Sequence, residues 1–403
     1  MIARLKRLLQ YRDRLTLFRV VLCAAFIGGI LFSIELWFPT SRSFPRAPIL
    51  WTPPDGSSTL PTEWFLSTIL IASLIATTVS KHPALFSTLA LVPLSVLVCV
   101  DQSRLQPWVY QYSLLLIVLG LHDWWTKDAA DSTRTLSLLQ LTVAAVYFWS
   151  GLQKLNFTFV HEIFPLLLAP LRTSLPSLPQ LASGAAIVAA LTETLIGCGL
   201  LYSRTRNLCV WLALTTHGLV LVLLIAKGYN SVVWIWNLSL MLVVLILFWR
   251  SNVYFFRGRS IWLSQSFKAK LAIFVTLAAA LLPVLSFFGW WDMYLSGALY
   301  SGNTAIGVIK VDRDLSAQLP AAAKDQLFQM AGTGEEMLPL VEWSMADLNV
   351  PVYPEVRVYQ RVAREICKLA TNKADVELIV KERPMMISGR YKVTRASCAY
   401  LEQ

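Results

Sequence analysis

Nine apolar stretches of 18 to 22 residues recur along this 403-residue chain, and they constrain its fold more than any other feature. A helix needs about 20 mostly apolar residues to cross roughly 30 Å of hydrocarbon. The stretches lie near residues 17–38, 63–80, 83–100, 106–123, 136–154, 183–203, 208–226, 231–249 and 270–289. Only 15% of the residues are charged, against about 25% in an average soluble protein. The sequence therefore predicts an all-α polytopic membrane bundle of about nine transmembrane helices.

The second and third stretches leave two interpretations open. Both are short, and only Lys81-His82-Pro83 joins them. They are either two separate spans or the arms of a helical hairpin with this tripeptide at its tip.

The distribution of Lys and Arg predicts the orientation in the membrane. Basic residues are enriched in cytoplasmic loops. Arg4, Lys6, Arg7, Arg12 and Arg14 precede the first stretch, and most basic residues of the short loops fall on the same side in an alternating count. We expect a basic cytoplasmic N-terminus at 1–16, a transmembrane domain at 17–289 and an extracytoplasmic C-terminus. The first stretch is too long for the apolar region of a signal peptide, so we expect it to be retained.

The net charge of +11 is explained by these basic loops and does not indicate a nucleic-acid partner. Membrane lipid is the expected partner, and the cell membrane, in a bacterium the inner membrane, the expected location. The six cysteines show no CxxC motif and no metal-ligand spacing, so no metal site is expected.

The long apolar stretches stop near residue 289, and residues 290–403 are predicted to form a small extracytoplasmic α/β domain. Ile306–Val311, Val376–Val380 and Tyr391–Thr394 have the composition of strands, and Ala321–Met330 and Glu355–Ala370 that of amphipathic helices. Its two cysteines, Cys367 and Cys398, either pair in a disulfide or remain two buried thiols. This domain is also the expected docking site for a protein partner.

Between the fifth and sixth stretches, Phe157–Leu168 is apolar and aromatic but is interrupted by His161, Glu162 and Pro165. We expect a re-entrant or interfacial segment on the outer face, because irregular backbone at membrane depth has to be shielded by protein or water.

Polar and ionisable groups occur in four consecutive stretches. An ionisable group inside a span costs roughly 2.5–3.5 kcal/mol on insertion scales, so each one requires a reason. They are Tyr147, Ser150 and Lys154 in the fifth stretch, Glu193 in the sixth, Thr216 and His217 in the seventh, and Trp234 and Asn237 in the eighth. Each has an ordinary alternative: Lys154 reaching to the headgroups, or His217 as a packing residue. Their convergence predicts a shared site with Lys154, Glu193 and His217 as catalytic residues and Asn237, Trp234 and Tyr147 binding the substrate.

A second polar cluster precedes the fourth stretch. It comprises Asp101, Gln102, Arg104, Gln106, Trp108, Tyr110, Gln111 and Tyr112. One interpretation is an interfacial loop with aromatic anchors. The other is a lid over the same site, in which Tyr110 contacts the substrate and Arg104 binds an anionic group.

These residues carry a resemblance to a known family. Residues 146–155, VYFWSGLQKL, resemble the YF-x-x-G-x-x-K-L segment of the vitamin K-dependent γ-carboxylase-like (HTTM) membrane proteins, and the run from Leu191 through His217 to Trp234 is also similar. DoxX-like membrane proteins share a similar G-x-x-K-L pattern. The resemblance covers roughly residues 10–290. It implies that Lys154 is the base that deprotonates a reduced quinone, whose oxygenation then drives proton removal from glutamate.

Three functions follow from these observations. The first is an enzyme that performs base-assisted chemistry on a quinone-like, lipid-soluble substrate at an outward-facing intramembrane site. The second is a non-catalytic scaffold or maturation subunit of a membrane complex, as the DoxX-like resemblance suggests. The third is a proton-coupled transporter using Glu193 and His217, although the sequence contains no inverted repeat.

Overall fold

The computed structural model describes residues 2–49, 60–122, 129–171, 178–253, 266–330, 332, 334–370, 372 and 376–401. Most of these residues lie in nine helices, followed by a small sheet. The helices are α1 (Ile2–Phe32), α2 (Leu60–Val79), α3 (Pro83–Val100), α4 (Pro107–Gly120), α5 (Ala129–Gln153), α6 (Leu178–Leu201), α7 (Arg206–Lys227), α8 (Val232–Phe248) and α9 (Phe267–Leu281), and a 3-10 segment at Leu282–Phe288 continues α9.

Among the described residues, seven helices are long and apolar enough to cross a membrane, which is consistent with a multi-pass membrane protein. The other two apolar helices, α4 and α8, have 14 and 17 residues. At about 1.5 Å per residue they extend roughly 21 and 26 Å, short of a 30 Å hydrocarbon layer. The prediction of nine spans is therefore not confirmed. Helices α2 and α3 both pass the length criterion, which favours two spans over a short hairpin.

Two glycines allow α5 and α6 to pack backbone against backbone. A Cβ atom on Gly151 would lie 2.3 Å from the Thr194 nitrogen, and one on Gly197 would lie 2.5 Å from the Phe148 nitrogen. Small residues at such positions are typical of closely packed membrane helices. Because Lys154 and Glu193 lie within one turn of Gly151 and Gly197, this contact sets the distance between their side chains.

The C-terminal unit is a five-stranded antiparallel sheet with helices packed on one face. The strands are β1 (Ile306–Val311), β2 (Phe328–Gln329), β3 (Glu336–Pro339), β4 (Val376–Lys381) and β5 (Val393–Ser397), in the spatial order β2-β3-β1-β4-β5. Helices α10 (Leu340–Leu348) and α11 (Val356–Cys367) complete the unit, with one-turn helices at Arg313–Ser316, Ala321–Lys324 and Cys398–Leu401. The predicted small α/β unit at this position is confirmed.

Two of its predicted elements need correction. The helix predicted over 321–330 ends at Lys324, because Phe328 and Gln329 pair with Met337 and Glu336 of β3. This pairing outweighs the local helical preference, as tertiary context commonly does. The strand predicted at 391–394 lies instead at Val393–Ser397, where it pairs with β4.

The two cysteines of this unit, Cys367 and Cys398, form a disulfide with a Cα–Cα distance of 5.6 Å. It joins the last residue of α11 to the C-terminal helical turn. The predicted alternative of two buried thiols is therefore wrong.

The C-terminal unit packs on the end of the bundle where α1 and α3 end and α4 begins. The Asp347 carboxylate accepts hydrogen bonds from Ser43 N at 2.9 Å and Phe44 N at 2.7 Å. Gln106 Nε2 donates to Pro351 O at 3.0 Å. These contacts attach the C-terminal unit to the loops at one end of the helices.

A carboxylate pair lies at the same junction. Arg357 forms an ion pair with Asp292, with one N–O contact of 3.0 Å, and lies 3.8 Å from Glu355. Glu355 accepts a hydrogen bond from Met293 N at 3.1 Å. Burial and the adjacent Asp292 carboxylate raise the pKa of Glu355 to about 7, although the Met293 N–H, Arg357 and Arg383 act in the opposite direction.

We expect this junction to weaken as the pH rises through neutrality. A carboxyl group whose pKa is higher in the folded than in the unfolded protein stabilises the fold. This stabilisation is complete below the unfolded pKa of 4.5 and is lost as the pH rises through about 7. Between about pH 5.5 and 8 the contribution of Glu355 to the free energy of unfolding should fall by roughly 2 kcal/mol. Thermal unfolding of the detergent-solubilised protein measures it, and Glu355→Gln should flatten the pH dependence. Identical pH profiles for wild type and Glu355→Gln would contradict the assignment.

Candidate functional site

The described helices line a partly open cavity with a volume of about 120 Å³, here called the central cavity. Its wall is built from α4 to α9, and the segment 294–300 lies across the end next to the C-terminal unit. Gly297 has φ +73°, and a Cβ atom there would lie 3.2 Å from the Ser150 nitrogen, so this segment packs directly on α5. The lining is mainly apolar, and its polar side chains come from α4 to α8 and from the segment 294–300.

Lys154 and Glu193 form an ion pair in the wall of this cavity. Lys154 Nζ lies 2.5 Å from Glu193 Oε2 and also donates to Ser150 Oγ at 2.9 Å. The two side chains are only 16% and 15% exposed. The pair places a cation and a carboxylate side by side on the cavity wall, the two kinds of group that proton transfer commonly uses.

Tyr147, His217 and Asn237 form a second hydrogen-bonded group. Asn237 Nδ2 donates to Val233 O at 2.8 Å, so its Oδ1 is the acceptor for His217 Nδ1–H at 2.7 Å. A proton on Nδ1 leaves Nε2 of the neutral imidazole as an acceptor. Tyr147 Oη lies 2.5 Å from this nitrogen and donates to it. The phenol oxygen therefore keeps its lone pairs for a hydrogen bond from a ligand.

The structure thus brings together most of the predicted site residues. Lys154, Glu193, His217, Asn237, Tyr147 and Tyr110 all line the central cavity, together with Ser150 and Thr216. Polar side chains of α5 to α8 therefore border one space. Their catalytic and binding roles stay predictions.

Trp234 is an exception, because it does not line the cavity. Its indole N–H donates to Tyr229 O at 3.2 Å. The cavity face of α8 runs through Val233, Asn237 and Leu240, and Trp236 borders it while Trp234 lies on the adjacent side. The prediction placed the wrong tryptophan of this helix in the site.

Arg104 is the second exception. It is fully buried away from the cavity, where Nε donates to Leu36 O at 2.9 Å, one terminal nitrogen donates to Leu97 O at 2.8 Å and the other is bonded to the Glu63 carboxylate. The same carboxylate accepts from Arg46 Nε at 2.8 Å. The lid interpretation, in which Arg104 binds an anionic group, is therefore wrong. Its partner Glu63 lies 41 residues away in the chain, so local sequence could not identify it.

Asp101 belongs to the same loop and is also structural. Burial by itself would raise its pKa, but Arg42 and Arg104 and the Ala47 N–H hold the pKa of this carboxyl well below its ordinary value. Arg42 lies 2.6 Å from it. Asp101 is thus a charged anchor for the loop at 42–47.

Gln153, which precedes Lys154, is a connecting residue. Its Oε1 accepts from Asn303 Nδ2 at 2.6 Å and its Nε2 donates to Ser286 Oγ at 2.8 Å. It is fully buried and ties the end of α5 to the segments that follow α9. Because Gln153 directly precedes Lys154, these hydrogen bonds also fix the position of the Lys154 backbone.

The segment predicted as re-entrant consists of irregular helical turns. They are a π-helical turn at Phe159–Ile163, a helical turn at Phe164–Leu167 and a 3-10 turn at Ala169–Leu171. Phe157 N donates to Met386 O at 2.8 Å, so the segment begins under the C-terminal unit. Whether it enters a membrane stays a prediction.

Across the described residues, no group of three or more His, Cys, Asp or Glu side chains is arranged to hold a metal ion. Comparison with protein-family profiles, with curated proteins and with solved structures finds no match to this chain.

Proposed function

We propose that this protein is a membrane enzyme that removes a proton from a lipid-soluble, quinone-like substrate in the central cavity. The observation that carries the proposal is the presence of two proton-exchanging groups, Lys154–Glu193 and Tyr147–His217–Asn237, on one cavity within a bundle of apolar helices. Ionisable residues in such surroundings are costly and commonly functional.

The two groups have complementary roles in this proposal. Lys154 passes a proton to the Glu193 carboxylate and, as the neutral amine, takes up the proton of a substrate hydroxyl. The Lys154 ammonium that forms again stabilises the negative charge left on the oxygen. Tyr147 accepts a hydrogen bond through its phenol oxygen while its own proton points to His217. Asn237 fixes the imidazole tautomer and so keeps Tyr147 in this orientation.

The resemblance to the γ-carboxylase-like family supports the same residue and the same substrate class. A reduced quinone supplies an ionisable hydroxyl when it is bound. Two departures separate this chain from protein carboxylation: Gln153 stands where the family has a second lysine, and the C-terminal unit is far shorter than the peptide-binding part of the animal enzymes. We therefore propose proton removal and no carboxylation of a protein.

The proposal includes nine membrane spans, with the short helices α4 and α8 crossing where the bilayer is locally thinned, and a cytoplasmic N-terminus. A short span is accommodated at a modest cost per ångström of mismatch. The C-terminal unit then lies outside the cell membrane, and the cavity opens toward that side.

A direct test uses 1-naphthol with a decyl chain as a probe, because its ionised form absorbs at a different wavelength. The protein is reconstituted in lipid nanodiscs and the probe is titrated with base. We expect the bound naphthol to ionise at a midpoint about 1–3 pH units lower than in empty nanodiscs, because a cation at Lys154 favours the anion. An unshifted midpoint for bound probe would contradict the proposal and favour the scaffold function.

A further inference from the structure

Gln111 is a buried cavity residue whose hydrogen-bonding capacity is only half used. It lies in α4, is 2% exposed and lines the central cavity. Its Oε1 accepts the indole N–H of Trp236 at 2.7 Å. An indole nitrogen can only donate, so this contact fixes which end of the amide is the oxygen.

The other end of the amide, Nε2, has no hydrogen-bond partner. Among the cavity-lining residues that the structure describes, no other buried side-chain nitrogen or oxygen is left in this state. Leaving a buried donor without an acceptor costs about 1–3 kcal/mol, so such a group normally has a partner in the functional state.

The chemistry of the missing partner follows from the surroundings. The amide offers two N–H donors and no acceptor on this side, so the partner has to present an oxygen or nitrogen lone pair. The rest of the wall is mainly apolar, and in such pockets a few placed polar groups fix the orientation of the ligand. Lys154, Glu193, Tyr147 and His217 already form the other polar region of the cavity, on other helices.

We infer that Gln111 is a substrate-binding residue that donates a hydrogen bond to an acceptor oxygen of the ligand, separate from the hydroxyl that meets Lys154. The ligand is accordingly an apolar molecule with two oxygen functions, one ionisable and one accepting. Trp236 acts as a positioning residue by holding the amide in its orientation. This inference rests on the proposed function.

The test compares two probes with the same decyl chain, a 1,4-naphthoquinone and a naphthalene that lacks both oxygens. Binding to the full chain in nanodiscs is measured by equilibrium partition. We expect Gln111→Met, which keeps the length of the side chain, to weaken naphthoquinone binding roughly 3- to 10-fold and to leave naphthalene binding unchanged. Gln111→Glu retains an acceptor for Trp236 and removes the donors, so it should weaken naphthoquinone binding at least as much.

Thr142→Val is the matched control. Thr142 also lines the cavity, but its hydroxyl already donates to Leu138 O at 3.0 Å, so binding of both probes should be unchanged. Equal loss of both probes in Gln111→Met would overturn the inference, because the effect would then be packing. No loss in either Gln111 variant would also overturn it. If the wild type binds neither probe, the proposed function fails as well, whereas an intact naphthol shift with no Gln111 effect leaves the proposed function standing.

Discussion

Lys154→Met is expected to shift the ionisation midpoint of the cavity-bound naphthol upward by about 1–3 pH units. Methionine has nearly the length of lysine but carries no charge and no exchangeable proton. The substitution therefore removes the group that takes up the proton and the cation that stabilises the anion, while the cavity keeps its volume. The midpoint is read from the absorbance of the probe in nanodiscs.

The matched control is Lys227→Met, at the end of α7. Lys227 lies over the Tyr229 ring at 5.0 Å and is outside the cavity wall. The Lys227 side chain is exposed, so its loss should move the midpoint by less than about 0.5 unit, because solvent and salt screen exposed charges. Equal shifts in the two variants would assign the effect to overall charge and contradict a site at Lys154.

A second variant separates chemistry from folding. Lys154→Met leaves the Glu193 carboxylate without the ammonium it contacts, and this alone can destabilise the bundle. The double variant Lys154→Met with Glu193→Gln removes both charges and should restore stability without restoring the low midpoint. A double variant with a normal midpoint would show that the pair does not handle the proton.

Arg104→Met is expected to lower the free energy of unfolding by about 3–5 kcal/mol, the cost of breaking a buried ion pair by removing one partner. Arg104 is completely buried and joins the Glu63 carboxylate to the carbonyls of Leu36 and Leu97. Without Arg104, the Glu63 carboxylate and the carbonyls of Leu36 and Leu97 lose the guanidinium that links them. Unfolding of the protein in mixed micelles by increasing denaturant measures the change.

Arg46→Met is the control for this prediction. Arg46 contacts the same Glu63 carboxylate at 2.8 Å, but its side chain is 32% exposed, so its loss should cost no more than about 1 kcal/mol. Adding Glu63→Gln to Arg104→Met should recover part of the lost stability, since the two residues are directly coupled. If Arg104→Met is stable but binds the naphthol probe weakly, Arg104 belongs to the binding site after all.

Arg104 and Lys154 show where local sequence is informative and where it is not. Both are basic residues close to the ends of apolar stretches. The positions of Tyr147, Ser150 and Lys154, separated by three and four residues, place them on one helix face, and the structure confirms that they share the cavity wall. No comparable spacing links Arg104 to Glu63, and the short loop around it fits an interfacial lid as well as a buried anchor.

Trp234 and Trp236 illustrate the same limit on a single helix. Both are aromatic, both precede Asn237 by no more than three residues, and most of the other residues of α8 are apolar. A uniformly apolar helix has no amphipathic pattern from which its rotation can be read. Packing decides the rotation, and it directs Trp236 toward Gln111 and the cavity.

The sequence by itself determined the positions of nine apolar helices, the separate C-terminal α/β unit and the polar residues on α5 to α8. These properties depend on the composition and length of continuous segments, which are local. Only the tertiary structure decided that Lys154 pairs with Glu193, that Asn237 orients His217 toward Tyr147, and that Gln111 of the cavity wall has a buried Nε2 without a partner. These contacts join residues 20 to 125 positions apart. They depend on helix rotations and on the close approach at Gly151 and Gly197, which local composition does not specify.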